Sequence, residues 1–208
     1  MNLPNKITLS RIFMVPVFML FVIQLPHWAT QTWPILEGYN DFITNYGYYI
    51  GAIFYIIASS TDGVDGYIAR KRKQVTTLGK FMDPIADKLL TTAALIALVE
   101  RYGANPDSLT MGVSGWCAMI IIARELLVTG LRLAAAGQGI IIAAGKLGKI
   151  KMIIQTIAIS VALLNNYPMS EFINFPFDAI LMTAAVIITV WSGIDYFVKN
   201  AKVLNSEK

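Results

Sequence analysis

One cysteine, Cys117, excludes an intrachain disulfide and any cysteine-built metal site. One histidine, His27, excludes a histidine cluster, and the placement of charges puts it on the side away from the acidic motif below. Any general base must therefore be something else. Charge is also scarce, at 14% of residues, where a soluble domain carries about 25%. No basic face is interleaved with aromatics, so nucleic acid is not expected as a partner. There is no internal repeat, low-complexity tract or linker, which predicts one domain over residues 1–208.

Apolar residues fill the space that charge leaves. They make up 56% of the chain, and the mean hydropathy is +0.58. A bilayer-spanning helix needs ~20 mostly apolar residues, and six such stretches are readable. They run approximately from Ile7 to Leu25, Tyr48 to Ile68, Asp83 to Val99, Gly112 to Leu133, Lys151 to Leu164 and Phe177 to Val198. The fifth is short and is expected to reach back toward Gly145. The first lacks a small-residue cleavage site and reads as a span rather than a signal peptide. The expected fold is an all-α integral membrane protein of six transmembrane helices.

Of the 17 Lys and Arg, only Arg101 falls on the side holding the segments around His27 to Asp41, Glu100 to Asp107 and Asn165 to Asp178. By the positive-inside rule, both termini and the second and fourth connections are cytoplasmic. The net charge of +4 is mostly this bias plus attraction to anionic headgroups. Trp28, Trp33, Trp116 and Trp191 fit interfacial belts or lipid contact and are assigned no chemistry.

Four aspartates then stand out. The pattern is Asp62-x-x-Asp65-Gly66-x-x-Ala69-Arg70, eight residues, then Gly79-x-x-x-Asp83-x-x-x-Asp87. On helices that turn every ~3.6 residues, spacings of three and four stack Asp62 with Asp65 and Asp83 with Asp87. Carboxylates gathered in a sparsely hydrated place repel unless cations lie between them. All-carboxylate coordination favours hard ions such as Mg2+ or Mn2+, and two such ions are the usual apparatus for attack at phosphorus. The competing reading makes these acids helix caps and surface charges, with Asp83-Pro84 as a helix start. It leaves Gly66 and Ala69, which share the face of Asp62 and Asp65, unexplained, together with Asp65 and Asp87.

Charges inside apolar stretches are costly and are functional suspects. Arg124 lies deep in the fourth stretch, beside Glu125 and two turns before Arg132, and Lys146, Lys149 and Lys151 lead into the fifth. Arginine forks and lysine ammonium groups beside a carboxylate dimetal site suit a phosphorylated substrate. Snorkelling is the simpler role for Arg132 and the lysines. Glu125 is expected to orient an arginine. A cation transporter is the rival from another class, but its acids would be distributed over both halves of the chain.

Asp62, Asp65, Gly66, Ala69, Arg70, Gly79, Asp83 and Asp87 reproduce, without departure, the signature of the CDP-alcohol phosphotransferases. The chain resembles that family of membrane enzymes of phospholipid synthesis. The resemblance implies a six-helix fold, commonly dimeric, with a two-metal site at the cytoplasmic side of a bacterial inner membrane. It implies Asp62, Asp65 and Asp83 as metal ligands and Asp87 as both ligand and base. Gly66, Ala69, Arg70 and Gly79, with Asn5 and Thr8, would line the CDP-diacylglycerol pocket. The stretches Leu3 to Arg11, Ala123 to Arg132 and Gly148 to Lys151 with Gln155 are similar to members that use sn-glycerol 3-phosphate as acceptor. Arg124, Arg132, Lys149 and Lys151 would then grip the acceptor phosphate. Inositol phosphate, serine or an aminoalcohol remain as alternative acceptors.

Overall fold

The computed structural model describes residues 3–71, 77–104, 113–137, 140, 142, 145–173 and 175–201, with the side chains of 3–8, 11, 27, 34, 37, 61–71, 77–87 and 104 outside that description. Six long helices dominate it: α1 (Leu3–Val22), α2 (Tyr48–Lys71), α3 (Thr77–Ala104), α4 (Gly115–Gly137), α5 (Lys146–Leu163) and α6 (Phe177–Lys199). No strand occurs among the described residues. Each long helix overlaps one of the six apolar stretches. By length and hydropathy alone, α6 is the one described helix long and apolar enough to cross a membrane, and the apolar stretch Ile12–Val22 in α1 is shorter.

One boundary departs from expectation, and one expected extension is found. Helix α3 does not start at Asp83. It starts at Thr77 and continues through Pro84 to Ala104, so the chain tolerates one missing backbone hydrogen bond to Lys80 rather than ending the helix. Helix α5 reaches back to Lys146, with extended Gly145 preceding it, so its lysines are helical rather than part of a connection. The segment between α1 and α2 is also more regular than a loop. It forms short helical pieces, His27–Thr32, Pro34–Leu36 and Glu37–Phe42, and a wide turn, Ile43–Gly47, that runs straight into α2.

Packing follows the distribution of small residues. Helix α1 lies against both α2 and α3, and α5 and α6 form the most extensive pair, with α4 against α6. A Cβ on Gly47 would run into the carbonyl of Phe21, and one on Gly51 into Val22, so glycine is what lets α1 and α2 approach here. Ala93, Ala94 and Ala97 of α3 and Ala158 and Ala162 of α5 do the same for their neighbours, around buried Phe18, Tyr55, Leu95, Ile121 and Ile159.

One end of the bundle is tied by polar groups. Between α5 and α6 the chain turns at Asn165 and Asn166, with φ of 55° and 61°, a region asparagine tolerates better than most residues. Asn166 then donates to Asp178 Oδ1 at 2.9 Å and accepts from the Asp178 N–H at 2.8 Å. Arg101 donates to the Leu163 carbonyl at 3.2 Å and lies 4.0 Å over the Tyr48 ring. Helices α2, α3, α5 and α6 are thereby joined.

Candidate active site

At the other end, the motif aspartates occupy two helices. Asp62, Asp65, Gly66, Ala69 and Arg70 lie in the last turns of α2, while Gly79, Asp83 and Asp87 lie in the first half of α3. Because α3 is unbroken from Thr77, Gly79, Asp83 and Asp87 fall at intervals of four on one helical face. Asn5 and Thr8 lie in the opening turns of α1. The side chains of all these residues fall outside the described set. Among the described residues, no three His, Cys, Asp or Glu side chains gather as a metal site would require.

The basic residues are described, and they converge. Arg124, Arg132, Lys149 and Lys151 line one cavity of about 210 Å3 between α4, α5 and α6. Lys88, Glu125, Ser192, Asp195 and Tyr196 line it as well. Five cationic side chains and two carboxylates thus border a space far larger than the roughly 10–15 Å3 that one water needs. Snorkelling fails to describe Lys151, which is 4% exposed and directed into the bundle rather than out to an interface. Arg132 and Lys149 remain exposed at the mouth.

Glu125 organises the cavity, though not as expected. Its carboxylate bonds Lys151, and its Oε2 lies 2.8 Å from Lys88 Nζ, whereas Arg124 Nη1 is 3.9 Å away. The acid therefore pairs with two lysines, where it was expected to orient an arginine, and is only loosely associated with Arg124. The side chains of Glu125 and Lys151 are only 10% and 4% exposed, where an unpaired charge would be costly, so each makes the other tolerable. Lys88 follows Asp87 directly, so this ion-pair hub connects the helix of the motif aspartates to α4 and α5.

Helix α6 supplies partners that sequence reasoning missed. Arg124 Nη2 donates to Ser192 Oγ at 3.0 Å, and Arg132 Nε donates to the Tyr196 hydroxyl at 3.0 Å while its guanidinium stacks 5.3 Å from the same ring. Asp195 Oδ1 and Oδ2 each lie 2.8 Å from Lys199 Nζ. The available signal was Ser192-Gly193 and Asp195-Tyr196 interrupting an otherwise apolar helix. An arrangement of fixed arginine forks and a buried lysine around an open cavity is suited to holding a phosphate dianion.

Nearly the whole chain is similar to known proteins. The chain matches the CDP-alcohol phosphatidyltransferase family over residues 1–191. It is 47% identical over 205 residues to the CDP-diacylglycerol–glycerol-3-phosphate 3-phosphatidyltransferase of Bacillus subtilis, covering 99% of this chain and 98% of that protein. It is 34% identical over 199 residues to the protein of the same name from Haemophilus influenzae, covering 94% and 91%. A probable phosphatidylglycerophosphate synthase of Mycobacterium tuberculosis is 34% identical over 195 residues, covering 94% of this chain and 79% of that protein.

Proposed function

Because the chain belongs to the CDP-alcohol phosphatidyltransferase family and gathers its buried cations beside the helix of Asp87, we infer that it acts as its relatives do. It transfers the phosphatidyl group of CDP-diacylglycerol to sn-glycerol 3-phosphate, releasing CMP and forming phosphatidylglycerophosphate. The observation that carries the choice of acceptor is the basic cavity. Serine or an aminoalcohol would bring no phosphate to occupy Arg124, Arg132, Lys149 and Lys151.

The residues divide the work. Arg124, Arg132, Lys149 and Lys151 hold the acceptor phosphate, which fixes the 1-hydroxyl of the glycerol near α3. Gly66, Ala69, Arg70 and Gly79, with Asn5 and Thr8, receive the cytidine diphosphate, the small residues permitting close approach to the helices. The acceptor oxygen bonds to the lipid-side phosphorus as the phosphorus–oxygen bond to CMP breaks, and the hydroxyl proton passes to Asp87. A carboxylate is a weak base, so this transfer comes late, once the attacking oxygen has become acidic.

Asp62, Asp65, Asp83 and Asp87 would hold two divalent cations, Mg2+ or Mn2+. The unbroken helices α2 and α3 fit this role, since intervals of three and four keep each pair of oxygen donors on one face. Bound there, the ions would neutralise the diphosphate and stabilise the departing CMP.

The enzyme is membrane-associated. As part of the same proposal, all six long helices span the bacterial inner membrane within a single domain, both termini are cytoplasmic, the active site opens to the cytoplasm, and two copies form a dimer. Exposed Phe13, Ile53, Ile96, Met119, Ile153 and Ile187, one on each long helix, support a lipid-facing exterior. Charges in α2 to α5, among them the proposed site residues, lower the hydropathy of those helices. The test is CMP release from CDP-diacylglycerol by purified protein with glycerol 3-phosphate, inositol phosphate, serine or ethanolamine, with and without chelator. Release with glycerol 3-phosphate that chelator abolishes is expected. Release with serine alone, or full activity in chelator, would overturn the reading.

A further inference from the structure

Arg124 is held by a seat on α6, and the seat is made of two adjacent residues. Ser192 is 2% exposed, and its hydroxyl donates to the Thr189 carbonyl at 3.2 Å. That commits its proton to the backbone and leaves its oxygen to accept from Arg124 Nη2, 3.0 Å away. Gly193, the next residue, lies under the stem of the same arginine. A Cβ there would stand 3.2 Å from Arg124 Cγ and 3.8 Å from its Nε. Cγ is near the root of the side chain, so any displacement carries the guanidinium with it.

The guanidinium is thereby presented in one way. Its Nε edge is buried, without a hydrogen-bond partner, over the glycine. One Nη2 hydrogen goes to Ser192, while Nη1 stands 3.9 Å from Glu125 Oε1 and the side chain lines the cavity. Glycine is disfavoured in a helix interior relative to alanine, so α6 tolerates it here for the room it leaves to the arginine.

We propose that Ser192 and Gly193 are positioning residues for the acceptor phosphate, acting through Arg124 by fixing which edge of its guanidinium meets the substrate. The inference rests on the assignment of that phosphate to the basic cavity. Loss of one hydrogen bond to a charged group, or a shift of a few tenths of an ångström, should raise KM for glycerol 3-phosphate about tenfold. KM for CDP-diacylglycerol should not move. Gly193→Ala should also keep or raise the melting temperature, because alanine favours the helix, whereas a merely structural glycine would lower it.

The experiment measures CMP release against both substrates for wild type, Ser192→Ala and Gly193→Ala, each also in an Arg124→Lys background. Lysine has no fork to orient, so the two α6 substitutions should add less than twofold there. An active wild type whose variants keep the original KM for glycerol 3-phosphate would overturn this inference alone. So would effects that persist undiminished with Arg124→Lys. A wild type that releases no CMP with glycerol 3-phosphate would overturn the functional reading and this inference together.

Discussion

Charged side chains gather at both ends of this helical bundle, and the two gatherings are built differently. At one end Arg101 is spent on the Leu163 carbonyl and the Tyr48 ring, Asp178 is bonded to Asn166, and the cavity they leave is about 20 Å3, room for one or two waters. At the other end Arg124 lines a 210 Å3 cavity, with Arg132, Lys149 and Lys151 around it. Both arginines are partly buried. What separates them is the balance of the neighbourhood: polar groups that satisfy one another make a clamp, while an excess of one sign around open space makes a binding site. The lesson is that burial of a charge alone identifies neither.

Four substitutions break or sharpen that contrast. The largest effect is expected from Asp87→Asn, beside the open end. It should lower kcat by about a thousandfold or more by removing the base, with CDP-diacylglycerol binding largely kept, as turnover and equilibrium binding would report. Unimpaired turnover would refute the base assignment. Lys151→Ala comes next, with KM for glycerol 3-phosphate rising about 30-fold as a charge-assisted contact is lost. The same steady-state assay should show no change toward CDP-diacylglycerol.

Glu125→Gln tests the hub that joins Lys88 to Lys151. Removing the carboxylate's charge from beside Lys88 and Lys151 should destabilise the fold by on the order of 3 kcal/mol, read from thermal unfolding in detergent. An unchanged midpoint would mean that the lysines are compensated elsewhere. The smallest effect belongs to the closed end, where Asn166→Ala should cost about 1–2 kcal/mol of stability through two lost hydrogen bonds. Its KM for both substrates should remain that of the wild type.

Much of this layout was readable before any coordinates. Apolar runs located all six long helices, because helix period and length leave few alternatives. Spacings of three and four put the aspartates in pairs on α2 and α3, and the depth of Arg124 in an apolar run made it a suspect, which the structure places on the wall of the basic cavity. Contacts between distant residues were not readable. Lys88, Glu125 and Lys151 lie on three helices, and nothing local to any of them indicates that they meet. Glu125 was expected to orient an arginine, and its lysine partners on other helices were not visible along the chain. Ser192 did not stand out, since a lone hydroxyl in an apolar helix commonly bonds its own backbone. It does so here through Thr189, and it also receives Arg124. The segment around His27 to Asp41 was read only as a connection between apolar stretches, and its short helices, some starting beside Pro26 and Pro34, were not foreseen, although proline is at home at a helix start.

The contrast between the two ends meets its most direct test in KM for glycerol 3-phosphate, measured side by side for Arg124→Ala and Arg101→Ala. The account expects Arg124→Ala to raise it by about tenfold or more, and Arg101→Ala to leave it at the wild-type value while lowering the unfolding temperature. An equal rise in both variants, or a rise with Arg101→Ala alone, would contradict the assignment of one end to the substrate and the other to the fold.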